Sequence, residues 1–161
     1  MKTVYIETSV ISYLTARPSA GLVTAAHQQI TREWWDNCRS RFETFISPVV
    51  LDEASRGDPA AAALRLAVVK GWAILEVTDA ALVLVDALVN EGALPASAMD
   101  DAVHVAIAAV HNVDYLVTWN CRHIDNAETK PLIRSVCLVH GYTCPEICTP
   151  EELMGETHYE R

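Results

Sequence analysis

No apolar run in this 161-residue chain approaches the roughly 20 residues that a bilayer-crossing helix needs. The opening MKTVYIETSVISYL has one Lys and a short mixed segment, without the long apolar stretch and cleavage site of a secretory leader. Basic residues are also few: 12 Lys and Arg stand against 21 Asp and Glu, giving a net charge of −9. A protein that grips nucleic acid by bulk phosphate attraction is normally basic, so the balance argues against that class. It leaves room for an enzyme whose acidic residues hold a divalent cation. No G-x-G-x-x-G occurs, which argues against a dinucleotide-binding dehydrogenase. A doubly wound phosphoacceptor domain wants a Lys after a late strand, and none stands in that place.

Cysteine is sparse and poorly patterned. Cys38, Cys121, Cys137, Cys144 and Cys148 make an odd set, and only Cys144 and Cys148 lie close together. With no second close pair, a four-ligand zinc site is not indicated. Free thiols in a reducing compartment are the expectation, hence a cytoplasmic protein.

What is present suits one globular domain over 1–161: 51% hydrophobic residues, 20% charged and a mean hydropathy of +0.15. Lys2–Ile6 reads as a buried strand, with Thr8 or Ser9 capping a helix to about Thr15. Leu22, Ala26, Ile30 and Trp34 form an i+4 stripe on a helix over Leu22–Asn37. Phe42–Ile46 predicts a second strand, with Ser47-Pro48 opening the next helix. Beyond the Gly57-Asp58-Pro59 break, a helix is expected over Ala60–Val69, a strand over Ala73–Val77 and a helix from Thr78 or Asp79 to Asn90. Ser97 with Asp100 resembles a capping box for a helix to His111. A Tyr115–Thr118 strand, a helix over Ala127–Val139, an extended Glu146–Cys148 and a final turn at Thr149-Pro150-Glu151-Glu152 complete the chain. Strands alternating with helices predict a three-layer α/β/α sandwich around a mostly parallel sheet of about five strands.

Sites in such sheets form at the carboxyl ends of the strands. Glu7 follows the first strand, Glu53 follows the second by a turn or two of helix, and Asp100 and Asp101 open the helix before the fourth. Asn120 follows that fourth strand. Three carboxylates and an amide so placed can converge, and oxygen donors of this kind suit Mg²⁺ or Mn²⁺. Each residue has a plainer reading. Glu7 also suits the dipole of the following helix, and Glu53 a solvated helix face. Asp100 is three residues after Ser97 and fits a cap, which leaves Asp101, one turn from His104, as the ligand candidate. His104 is either a packed histidine or a donor to a carboxylate. Asn120 also fits a turn, and Asp125 a solvated position. Ser9, Thr118, Arg122 and His123 are candidates to contact phosphate. Trp119 is placed either in packing or against a base, Trp34 in the core and Trp35 on a partner surface.

The succession YIETSVISYL, SPVVLDEASRG, MDDAVHVAIAA and DYLVTWNCRHI resembles the PIN-domain proteins of the VapC-like toxin group, over about residues 2–125. The resemblance implies a Mg²⁺- or Mn²⁺-dependent ribonuclease that leaves 5′-phosphate and 3′-hydroxyl ends. It further implies inhibition by an antitoxin, whose segment would enter a groove near the first two helices, and self-association as a homodimer. By position, Glu7, Glu53 and Asp101 match the first three acidic residues of that group, and Asn120 the region of a fourth. Ser9 and Thr118 match its small hydroxyl residues. Glu7 is one methylene longer than the usual Asp, about 1.5 Å of extra reach, and Asn120 is neutral. A non-catalytic PIN-like module that binds RNA or a protein is the alternative that these two departures suggest.

Overall fold

A strand covered on both faces needs an unbroken apolar sequence, and Thr3–Ile6 (β1, Thr-Val-Tyr-Ile) supplies one whose last three residues are buried. It sits at the centre of a five-stranded sheet in a computed structural model that describes residues 1–156. Glu43–Ile46 (β2) and Tyr115–Val117 (β4) flank it, Ala73–Ile74 (β3) lies outside β2, and Glu146–Cys148 (β5) lies outside β4. All four pairings are parallel, so the mostly parallel expectation becomes a fully parallel sheet. Val4 stands opposite Thr44 on one side and Tyr115 on the other.

Among the described residues, seven α-helices make the connections: Thr8–Thr15 (α1), Leu22–Asn37 (α2), Pro48–Ala54 (α3), Pro59–Val68 (α4), Asp79–Asn90 (α5), Met99–Val110 (α6) and Lys130–Val139 (α7). α1 packs against α2, α3 and α4, while α5 packs against α6 and α7. The architecture is an α/β three-layer sandwich. The strand order β3-β2-β1-β4-β5 runs outward from β1 in one direction and then returns to its other side. The carboxyl ends of β1 and β4 therefore border the crevice where open α/β sheets place their sites. Among the described residues, no helix is long and apolar enough to cross a membrane.

Most helix starts follow the residue chemistry. Ser47 accepts from the Val50 N–H at 3.4 Å, Asp58 from Ala61 at 2.9 Å and Thr78 from Ala81 at 3.1 Å, with Pro48 and Pro59 in the first turns of their helices. The Glu152 carboxylate accepts the Thr149 N–H at 2.7 Å, which closes the expected last turn.

Four local expectations are corrected. α1 is capped by Glu7, not by Thr8 or Ser9: the Glu7 carboxylate takes the Ser9 N–H at 3.0 Å. The third strand stops at Ile74 instead of Val77. Leu75 donates to the Ile46 carbonyl at 2.8 Å, but β2 ends there as Ser47 turns into α3, and no partner remains. Ser97 makes no capping box with Asp100, because Pro95 sets a 3₁₀ turn over Ala96–Ala98 and α6 starts beyond it without a side-chain cap. α7 begins at Lys130, not Ala127. Thr129 Oγ1 donates to the His123 carbonyl and Asn126 Oδ1 accepts from Glu128 N–H, so side chains hold this stretch as a loop.

Candidate functional site

Glu7 leaves β1 and immediately caps α1, so its carboxylate lies over the carboxyl edge of the sheet and is 5% exposed. Its own N–H continues the sheet to the Val117 carbonyl at 3.0 Å. Oε1 accepts from the Ser9 hydroxyl and from Thr118 Oγ1, the latter at 2.6 Å. Thr118 follows β4, so Glu7 is pinned across the crevice between the two strands. Ser9 Oγ also accepts the Trp119 N–H at 2.8 Å, and Thr118 Oγ1 accepts the Asn120 N–H at 2.9 Å. Both hydroxyls hold protein groups, and their place is directly against Glu7.

Glu53 is reached from the second strand through α3. Its Oε1 accepts Thr8 Oγ1 at 2.9 Å and meets His104 Nε2 at 2.5 Å. His104 is wholly buried, and its Nδ1 lies 2.6 Å from the Tyr5 hydroxyl, which is itself 2.7 Å from Ser47 Oγ. A chain of contacts thus runs Ser47–Tyr5–His104–Glu53–Thr8. Burial opposes charge on His104, yet the hydrogen bond to Glu53 and the nearby charges of Glu7, Glu53 and Asp101 hold its pKa above the usual value. Burial likewise pushes the Glu53 carboxyl up, but the His104 hydrogen bond and charge, the Thr8 hydroxyl and Arg56 outweigh it and hold the group below the usual value. Burial drives the Tyr5 phenol far upward, so Tyr5 stays neutral. Nε2 faces Glu53 as a donor, and the Tyr5 hydroxyl meets Nδ1 as donor or acceptor according to the protonation of the imidazole.

Ligand atoms of Glu7, Glu53 and His104 all lie within 4.8 Å of one another. Asp101 is outside this group. Its Oδ2 meets His123 Nδ1 at 3.0 Å, while its charge still reaches His104 one turn along α6. Asn120 Oδ1 accepts the His123 N–H at 3.0 Å, so it closes a turn, as its plainer reading allows. Asp100 is half exposed and lies 3.6 Å from Arg56, away from Ser97. Arg122 is exposed at the rim.

Oxygen donors remain for a hard cation. Among the described residues, Glu53 Oε2 and Asp101 Oδ1 accept no hydrogen bond, and Glu7 Oε2 takes a single N–H. Both His104 nitrogens are engaged, which makes it a support for Glu53 and leaves the carboxylates as the fitting donors.

Tyr5, Thr8 and the Asp101 partnership of His123 were not foreseen in these roles. Tyr5 reads only as a strand aromatic, and Thr8 only as a cap. Two other readings change, those of Trp35 and Asp125, while Trp119 takes the packing role expected for it. Trp119 stacks on His27 with ring centres 4.1 Å apart and donates from Nε1 to Thr31 at 2.7 Å, so it packs inside and is not free for a base. Trp35 stacks on Trp72 under the Arg39 guanidinium, not on a bare surface. Asp125 is mostly buried against Lys130 at 2.6 Å instead of solvated. Trp34 is fully buried in the core. No family model matches this chain, and no curated protein matches it in sequence.

Proposed function

We propose that this protein is a Mg²⁺- or Mn²⁺-dependent ribonuclease of the PIN type, a cytoplasmic VapC-like toxin restrained by an antitoxin and self-associating as a homodimer. The observation that carries the reading is the meeting of Glu7, at the end of β1, and Glu53, on α3, within the 4.8 Å cluster at the crevice of the sheet. The five free cysteines fit a reducing compartment. The choice of RNA as substrate, the antitoxin and the homodimer rest on the motif resemblance.

Glu7, Glu53 and Asp101 would hold the cation, with Asn120 at the margin. Held by these residues, a divalent ion would supply a coordinated water of lowered pKa and positive charge against the phosphoryl oxygens. The chain's own residues fix the acids. Ser9 and Thr118 orient Glu7, and Thr8 with His104 orients Glu53, so each carboxylate is set before substrate arrives. The His104 proton stays on Nε2 as a donor to Glu53, because the buried imidazole has an acceptor on that side. His123 at Asp101 and the exposed Arg122 stand at the rim, where an RNA phosphate passes.

Asp101→Asn is the direct test. It is expected to abolish metal-dependent cleavage of single-stranded RNA with the circular-dichroism spectrum and melting temperature preserved. Unchanged cleavage would contradict the assignment.

A second reading, a non-catalytic RNA- or protein-binding module, is favoured by one feature. His104 Nε2 already engages Glu53 Oε1, and Asn120 spends its oxygen on a turn. A Mn²⁺-induced rise in melting temperature that vanishes in Asp101→Asn decides for the enzyme, since a ligand that binds only the native state stabilises it.

A further inference from the structure

A groove of about 370 Å³ opens between α1 and α2, lined by Ser9, Ser12, Tyr13, Ala16, Thr24 and Gln28. Its lining includes Ser9, the residue whose hydroxyl pins Glu7. It also shares Ala16 with a second cavity, of about 420 Å³, bordered by Arg17 and Arg65. Each lies within the roughly 300–1,000 Å³ of small-ligand sites.

The chemistry of the lining is uneven in an informative way. Gln28 is buried and fully engaged: its amide oxygen takes the Ser19 N–H at 2.9 Å, and its nitrogen donates to the Arg17 carbonyl at 3.0 Å. It builds the wall by tying the 16–21 loop to α2. Arg65 is engaged too, donating to the carbonyls of Ala54 and Arg56, and Asp58 caps α4. By contrast, the hydroxyls of Ser12, Tyr13 and Thr24 and the Arg17 guanidinium form no hydrogen bond or ion pair with any described residue. Tyr13 is partly exposed and held in place, with its ring at right angles to those of His27 and Trp119. An immobilised aromatic ring, unspent hydroxyls and, one cavity further, an unspent cation form an ordered series leading away from the acids.

We infer that this groove is the subsite for the nucleotide next to the scissile phosphate of single-stranded RNA. A base lies against Tyr13, its ribose and base edge meet the hydroxyls of Ser12 and Thr24, and the following phosphate reaches Arg17. The inference rests on the ribonuclease reading and gives that site its substrate path. Bases stack on aromatic rings whatever their identity, and hydroxyls bond readily to ribose 2′-OH groups and base edges. A lone Arg at the far end also fits a chain of net charge −9, in which phosphate attraction must be local.

The test measures binding of a short fluorescein-labelled single-stranded oligoribonucleotide to the full chain by anisotropy in Ca²⁺, with cleavage kinetics in Mn²⁺ alongside. Tyr13→Ala is expected to weaken binding about tenfold and Tyr13→Phe to retain most of it, as loss and retention of one stacked base require. In cleavage, Tyr13→Ala raises KM and leaves kcat nearly unchanged. Arg17→Gln, at an exposed position that cannot threaten folding, is expected to reduce the slope of log affinity against log salt by about one. Unchanged affinity in both Tyr13→Ala and Arg17→Gln overturns the subsite. If Asp101→Asn still abolishes cleavage, that failure leaves the nuclease reading intact, with the groove open to a peptide instead. Groove-dependent RNA binding without any cleavage supports the subsite and removes the nuclease reading. A chain that neither binds nor cuts RNA overturns both.

Discussion

Glu53 and His104 form the one contact in the site whose protonation decides its energy. His104 is raised above its ordinary 6.5, so the stability it contributes is complete below about pH 6.5 and is lost as pH rises through the raised value. Glu53 is lowered from 4.5, so its contribution is present above about pH 4.5 and is lost as pH falls through the lowered value. In EDTA, the melting-temperature advantage of the native chain over Glu53→Gln should therefore be greatest between those limits and shrink toward alkaline pH. An advantage that stays constant from about pH 5 to 9 would show that the pair is not ionised. At this scale the acids were legible because a carboxylate right after an apolar strand has few structural uses. The partners were not. That Tyr5 would reach His104, or that Asp101 would turn to His123, depends on residues about a hundred and about twenty positions apart, which periodicity does not relate.

The site exists because elements end where they do. β1 gives way to α1 at Glu7 and β4 ends at Val117, just before Thr118, and a 2.6 Å hydrogen bond from Thr118 to Glu7 joins the two ends. Their adjacency follows from the reversal in strand order, which no local motif encodes. The elements themselves were readable: β-branched and aromatic runs gave the strands, and Ser47, Asp58 and Thr78 marked helix starts. Misreadings fell where a neighbour decides. β3 is short because β2 runs out, and the entry to α6 is set by Pro95 instead of a capping hydroxyl. α6 carries Asp101 and His104, and a run of its residues from Val105 to Ala109 is buried. Ile107→Ala removes a fully buried side chain from it, for an expected loss of about 2–5 kcal/mol by denaturant titration. On the proposed reading, RNA cleavage per folded molecule should fall little, because Ile107 lies in the hydrophobic core; a loss of cleavage without loss of stability would contradict the division of roles on this helix.

For the whole molecule, a net charge of −9 remains the dominant electrostatic fact, and a general RNA trap is not what it describes. Its acids are partly sorted: Glu7 and Glu53 are drawn into one crevice, each held by hydroxyl groups, and the buried His104 imidazole accompanies Glu53. On the proposed reading, such an arrangement would bind polyanions through a metal ion and a few local contacts, and weakly without the metal. The most direct measurement is cleavage of single-stranded RNA by the purified full chain in Mn²⁺ and in EDTA, comparing the native protein with Glu7→Gln. The account predicts cleavage by the native chain in Mn²⁺ alone, and a drop of more than about 100-fold in Glu7→Gln, beyond what loss of a merely supporting group causes. Cleavage that persists in EDTA or in Glu7→Gln, or a native chain inert in Mn²⁺, would contradict it.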